Sequence, residues 1–171
     1  MIGVSTMFEK VLKLCRSWVR PRRAIVLIGI PGSGKSTYSR DRFSGSEFEI
    51  HSTDAIRGEL FGDENMQGDW SQIERLLKKR VAQTLRGRKI PIIDATHARK
   101  VHRVRAVGWL HSMGARVHGV YVATPLTVCQ ERNARRSRVV PEAVIDGMFR
   151  SLLEEPPSRE DGFDSLETVI F

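Results

Sequence analysis

The sequence predicts an α/β sandwich, helices layered on a mostly parallel central sheet, and three observations predict it. Short apolar runs alternate with stretches of helical period along the whole chain. The first run, Ala24 to Ile28, is apolar at every position, as a strand buried on both faces must be. Between that run and the next helix lies one glycine-rich connection, Gly29-Ile30-Pro31-Gly32-Ser33-Gly34-Lys35-Ser36-Thr37. A length of 171 residues suits one domain spanning 1–171, which buries about two-thirds of its unfolded surface.

Residues 4–19 read as an amphipathic helix with Phe8, Val11, Leu12, Cys15 and Val19 inward, ended by Pro21. Residues 1–22 are therefore expected to pack as an N-terminal helix on the core. Ala24 to Ile28 is the first strand and Lys35 to Arg42 the helix after it. A second strand is expected over Glu47 to His51, followed by a short helix from Ala55 to Phe61. Trp70 to Arg86 is a longer helix with Trp70, Ile73, Leu77, Val81 and Leu85 on one face. Asp69, or a Ser71-x-x-Glu74 capping box, marks its start. Ile90 to Asp94 is the third strand, Ala98 to Ser112 a helix closed by Gly114, and Val117 to Val122 the fourth strand. Helices follow over Leu126 to Arg135 and Pro141 to Leu153, the second stopped by Pro156-Pro157, and Glu167 to Phe171 is a last short strand.

The glycine-rich connection fits G-x-x-x-x-G-K-[ST] at every fixed position, with a strand before it and a helix after it. Such a loop turns several backbone N–H groups inward at a helix N-terminus and makes a cradle for anions. Gly29, Pro31, Gly32, Ser33, Gly34, Lys35, Ser36 and Thr37 are thus the nucleotide-binding candidates. Lys35 reaches the β- and γ-phosphates of a nucleoside triphosphate, and the Ser36 hydroxyl is placed to ligate Mg²⁺. ATP, or another nucleoside triphosphate, with Mg²⁺ is the implied ligand.

In parallel sheets ligands sit beyond the carboxyl ends of the strands, so residues just after each strand come next. Asp54 follows the second strand. It reads as a helix cap or first-turn acid, or as the carboxylate that orients an acceptor hydroxyl and takes its proton. Arg57, three residues on, shares its helical face, paired with Asp54 or Glu59 or clamping an anionic part of an acceptor. Asp94 ends the third strand, where an acid acts on Mg²⁺ or its water shell, or else caps the next helix. Thr96 and His97 point toward the same rim.

Arg132-Asn133-Ala134-Arg135-Arg136-Ser137-Arg138 is the densest basic run. At four-residue spacing Arg132 and Arg136 would share a helix face, repelling by a few tenths of a kcal/mol, a cost that a triphosphate gripped by both reverses. With the connection to Pro141, residues of about 125–155 fit an Arg-rich lid that keeps water from the γ-phosphate. The bland alternative is a solvated arginine face.

The net charge of +8 is uneven: residues 154–171 carry −5, leaving +13 on residues 1–153, which suits a polyanionic partner or simply well-solvated helix faces. Only 12 aromatic residues are present, too few for an extended base-stacking platform. No apolar run is long enough to span a bilayer. No secretory signal is evident, and two distant cysteines, Cys15 and Cys129, fit a reduced, cytoplasmic protein.

Over Ile25 to about Phe163 the sequence resembles the P-loop 5′-hydroxyl polynucleotide kinases, the kinase modules of phage and bacterial end-healing enzymes. The resemblance rests on Gly29 to Thr37, Thr53-Asp54-x-x-Arg57 and Ile92-Ile93-Asp94-Ala95-Thr96. It continues in Arg132-Asn133-x-x-Arg136 and Val140-Pro141-x-x-Val144-Ile145-x-x-Met148. It implies a P-loop NTPase three-layer sandwich that acts as one kinase domain with an Arg-rich helical lid. Asp54 would be the general base, and Arg57 would contact the 3′-phosphate of the terminal nucleotide. Lys35 and Ser36 would hold the triphosphate and Mg²⁺, and Arg132 and Arg136 would be lid arginines on the donor phosphates. The implied acceptor is a 5′-hydroxyl end of RNA or DNA. His97 departs from the family, which often has Asn there. No D-x-D phosphatase motif or nucleotidyl-transferase lysine motif is present, so the chain resembles the kinase module alone, either a stand-alone kinase or one piece of a repair system whose ligase or phosphatase is supplied by separate chains. A small-molecule hydroxyl kinase on the same scaffold, or a nucleotide-binding regulatory protein without transfer activity, are the alternatives.

Overall fold

The computed structural model describes residues 21–63, 68–136 and 138–170. Five strands form one sheet: β1 (Arg22–Ile28), β2 (Phe48–Ser52), β3 (Ile90–Asp94), β4 (Ala115–Val122) and β5 (Ser165–Val169). Their order is β2-β3-β1-β4-β5, and every neighbouring pair is parallel. Strand β1 lies in the centre, paired with β3 on one side and β4 on the other. The chain builds one half of the sheet and then crosses β1 to build the other, so the carboxyl end of β1 opens into the crevice where the order reverses.

Among the described residues six helices flank the sheet: α1 (Lys35–Arg42), α2 (Thr53–Phe61), α3 (Trp70–Arg86), α4 (Lys100–Ser112), α5 (Leu126–Ala134) and α6 (Glu142–Glu154). Period-2 alternation along β1 feeds two cores. Ala24, Val26 and Ile28 pack with Ile56 of α2, Leu77 and Val81 of α3, Leu110 of α4, Cys129 of α5 and Ile145 of α6. Ile25 and Leu27 face the other way, against Val120, Val122 and the rings of Tyr38, Phe43 and Phe48 at and beyond α1. The result is the three-layer arrangement the alternation predicted.

Several boundaries differ from the sequence reading. Strand β1 starts at Arg22, β5 covers Ser165–Val169, and a short 3₁₀ turn, Arg159–Asp161, precedes it. Helix α3 starts with Asp69, whose carboxylate accepts from Ser71 N at 2.8 Å and Ser71 Oγ at 2.8 Å. Glu74, expected in the alternative cap, pairs with Lys78 at 3.0 Å and Arg105 at 2.6 Å. Trp70, expected on the buried face, is 43% exposed, because the helix begins there, ahead of the inward residues Ile73, Leu77 and Val81. Pro141 caps α6 rather than opening it. The helix expected over 4–19 lies outside the described residues. Among the described residues no helix is long and apolar enough to cross a membrane.

One buried ion pair ties the layers beneath the crevice. Arg103 of α4 donates Nε to Asp161 Oδ2 at 2.5 Å, and both side chains are fully buried. Its Nη1 donates to Ala98 O at 2.7 Å and His97 O at 3.3 Å, and its Nη2 to Glu155 O at 2.7 Å. One guanidinium thus joins the turn after β3, the end of α6 and the approach to β5. Removing one partner of such a pair leaves a buried charge uncompensated, at a cost of about 3–5 kcal/mol. Asp161→Ala is therefore expected to lower unfolding free energy in urea by roughly that amount; a loss under about 1 kcal/mol would show that the pair does not brace the fold.

Candidate active site

The crevice is built from strand exits. After β1 the chain forms the loop Gly29 to Gly34, and α1 starts at Lys35 behind an N-cap Gly34 with φ 93°, no side-chain cap and no acid in the first turn. Both features leave a positive helix end suited to an anion. At Gly32 a Cβ would lie 2.2 Å from Cys129 O, so glycine alone lets α5 rest directly on the loop. Gly29 N donates to Thr96 O at 3.0 Å, Ser33 N to Ile30 O at 3.1 Å, and Thr124 Oγ1 to Ser33 O at 2.7 Å. The Ser33 hydroxyl is buried with no hydrogen-bond partner. An orphaned polar group of this kind costs about 1–3 kcal/mol, which a phosphate oxygen accepting from it would relieve. Pro31 is half-buried and Thr37 exposed beside this cradle.

Lys35 is buried, its Nζ donating to Ile30 O at 3.1 Å. Burial pushes its ammonium below the ordinary lysine range; Asp94 and then Asp54 oppose that shift, and Arg136 adds to it. The charges of both carboxylates and of Arg136 therefore act on Lys35. The exit of β3 supplies Asp94, buried, whose Oδ2 accepts from Ser36 Oγ at 2.7 Å. That hydroxyl and carboxylate are hard-oxygen donors of the kind that could hold a Mg²⁺ ion.

The exit of β2 supplies Asp54. Ser52 caps α2, its Oγ accepting from Ala55 N at 3.3 Å, which leaves Asp54 in the first turn with its side chain 42% exposed. Asp54 Oδ1 accepts from Arg57 Nη1 at 2.5 Å and from Arg138 Nη1 at 2.9 Å. Glu59, the other expected partner of Arg57, is taken by Arg80.

Arg132 and Arg136 are arranged differently from the sequence reading. Helix α5 ends at Ala134, so Arg136 stands beyond it and does not share a helical face with Arg132. The cause is Asn133, which donates Nδ2 to Val140 O at 2.8 Å and accepts from Val140 N at 3.0 Å, turning the chain back on itself. Arg132 lies exposed in the last turn of the helix resting on the loop, near enough to draw the Cys129 thiol downward against the upward push of burial.

Lys35, Ser36, Asp94, Asp54 and Arg57 thus share one rim with Arg136. Two further residues belong to it. Thr124, just after β4, pins the loop through Ser33 and could have been found by the same strand-end rule that selects Asp54 and Asp94. Arg138 sits inside the basic run but outside the four-residue spacing that singled out its neighbours. His97 has a left-handed backbone, φ 46°, and its Nδ1 lies 2.8 Å from Leu27 O, so that nitrogen carries the hydrogen. Burial pushes its pKa down to about 4, and the neutral ring braces the end of β1.

A family model described as an AAA domain matches residues 25–156. No curated protein sequence matches the chain. Among solved structures, a chain of the Pnkp1/Rnl/Hen1 RNA repair complex is similar at TM-score 0.70 and 20% identity, over 85% of this chain and 47% of that one. A second structure of that complex is covered over 41% of its matched chain, so this chain spans less than half the length of either. Kti12 of Chaetomium thermophilum in complex with ADP-AlF3 matches at TM-score 0.66 and 16% identity, over 86% of this chain and 89% of that one. Shikimate kinase from Bacteroides thetaiotaomicron matches at TM-score 0.57 and 15% identity, over 85% and 86%. At such identities the likeness shows the fold alone, that of the P-loop NTPases. With more than three-quarters of its length inside the match, the chain belongs to the AAA domain family.

Proposed function

We propose that this chain transfers the γ-phosphate of ATP to a hydroxyl acceptor, and that the acceptor is the 5′-hydroxyl end of an RNA or DNA strand. Asp54 carries the reading. It is a half-exposed carboxylate at the exit of β2, gripped by two arginines and close enough for its charge to act on the phosphate-loop lysine. A carboxylate so placed can orient an acceptor oxygen in line with the γ-phosphate and take its proton.

The loop N–H groups, the Ser33 hydroxyl and Lys35 would hold the β- and γ-phosphates, with Ser36 and Asp94 holding Mg²⁺. A Mg²⁺ ion at such a site is held by one or two protein oxygens together with the substrate's own phosphates. Bound there, Mg²⁺ would neutralise charge on the transferring group. Phosphoryl transfer is largely dissociative, so Asp54 contributes by orienting the hydroxyl in line and taking its proton late. Arg132 and Arg136 would close over the donor, excluding water, and Arg57 would grip an anionic group of the acceptor.

The neighbour in an RNA repair complex supports a polynucleotide acceptor and separate partner chains, and the ADP-AlF3 complex of Kti12 supports nucleotide at the loop. The surface agrees: α3 holds Arg75, Lys78, Lys79, Arg80 and Arg86 against a single acid, Glu74, and α4 holds no acid. The likeness to shikimate kinase keeps a small hydroxyl acceptor as the competing reading. A reduced, cytoplasmic setting goes with either reading.

Asp54→Asn is expected to cut transfer by at least about 10²-fold while ATP affinity stays within about threefold; retained transfer would exclude the catalytic role. Labelled ATP offered with 5′-hydroxyl oligonucleotides, nucleosides and sugars is expected to label the oligonucleotides best. Their kcat/KM should fall about tenfold or more between 50 and 200 mM salt. Equal labelling of sugars, insensitive to salt, would select the small-molecule reading.

A further inference from the structure

The rim contains a charge arrangement that transfer itself does not require. Two guanidinium groups converge on a single oxygen of Asp54, from Arg57 on the same helix and from Arg138 on the segment joining α5 to α6. Both arginine side chains are largely buried, 17% and 20% exposed, whereas Asp54 is 42% exposed. Two cations share one anion there, and the Arg57 Nε is buried with no hydrogen-bond partner. The resting pose therefore satisfies neither the charge balance nor the full donor set of Arg57.

We propose that Arg138 is a specificity-determining latch: it occupies Asp54 until an acceptor carrying its own phosphate beside the reacting hydroxyl draws the arginines away. The proposal rests on the kinase reading above. A phosphate offers several charged acceptor oxygens in the geometry a guanidinium prefers, so it competes with a single carboxylate oxygen for both arginines. A neutral alcohol brings one O–H and no countercharge, and meets a carboxylate already engaged by cations. The covalent step is unaltered: the acceptor oxygen bonds to the γ-phosphorus, the bond to the β-phosphate oxygen breaks with ADP leaving, and the hydroxyl proton passes to the freed Asp54.

The loop that carries Arg138 is closed at its base by the two Asn133–Val140 hydrogen bonds. Arg136, whose charge acts on Lys35, hangs from the same closed loop. The arginine whose charge acts on the phosphate-loop lysine and the one that pairs with Asp54 are therefore two positions apart in sequence, between Asn133 and Val140.

Two measurements test this. First, tryptic cleavage after Arg138 is compared with cleavage after the exposed Arg135 in nucleotide-free protein. Asp54→Asn should raise the relative cleavage after Arg138 about tenfold, since trypsin must draw that guanidinium out of its ion pair. Unchanged cleavage overturns the latch. Second, kcat/KM is measured with ATP for a nucleoside 3′-phosphate and for the same nucleoside. The wild-type preference for the phosphate-bearing acceptor should shrink about tenfold in Arg138→Gln, and Arg138→Lys should keep part of it, with melting temperatures unchanged. An unchanged preference in active Arg138→Gln overturns the latch and leaves the kinase reading standing. A wild-type chain that phosphorylates no hydroxyl acceptor overturns the kinase reading, and the specificity role of Arg138 with it.

Discussion

Ser36 Oγ donates to Asp94 Oδ2 across 2.7 Å, and this bond joins the loop after β1 to the end of β3. It can form only because the two strands lie side by side and parallel, with Ile25 opposite Ile92 and Val26 opposite Ile93. The same rule places Ser52 opposite Asp94 in the next pair, so Asp54 emerges on the same rim two residues later. Parallel pairing thus converts three distant stretches of sequence into one crevice, and the chemistry proposed for this chain depends on that convergence.

Around the crevice, packing and electrostatics work in opposite directions. Packing draws polar groups inward: Lys35, Asp94, Ser33 and Arg103 are all buried. Burial raises the cost of any charge or donor left without a partner. Arg103 is met by Asp161 and three carbonyls. Ser33 Oγ and Arg57 Nε, by contrast, have no partner. Asp161 Oδ1 is likewise unpartnered beneath the crevice, but Ser33 Oγ and Arg57 Nε lie at its rim, where a polar, anionic ligand would complete them.

Much of this was legible in the sequence because the signals were local. An all-apolar five-residue run fixed β1, and glycines at fixed spacing before Lys35-Ser36 fixed the loop, where Gly32 proves indispensable through its contact with Cys129. Asp54 and Asp94 were found by a positional rule, residues after strand ends. What escaped was set by contacts across the chain. Asn133 bonds to Val140 seven residues later and ends α5 before Arg136. Arg138 reaches Asp54 over 84 positions of sequence, a pairing with no periodic signature. The buried pair of Arg103 and Asp161 was invisible for the same reason: each reads as an ordinary surface charge until folding encloses it.

The proposed transfer requires that Asp54 and the phosphate loop face one another across a space that admits a hydroxyl. A crystal structure with Mg²⁺ and a non-hydrolysable ATP analogue tests it most directly. The Asp54 carboxylate should turn toward the γ-phosphate, with room for an oxygen about 3–3.5 Å from the phosphorus and in line with the bond to be broken. A carboxylate turned away from the phosphate tail, or side chains filling that space, would contradict it and leave nucleotide binding alone.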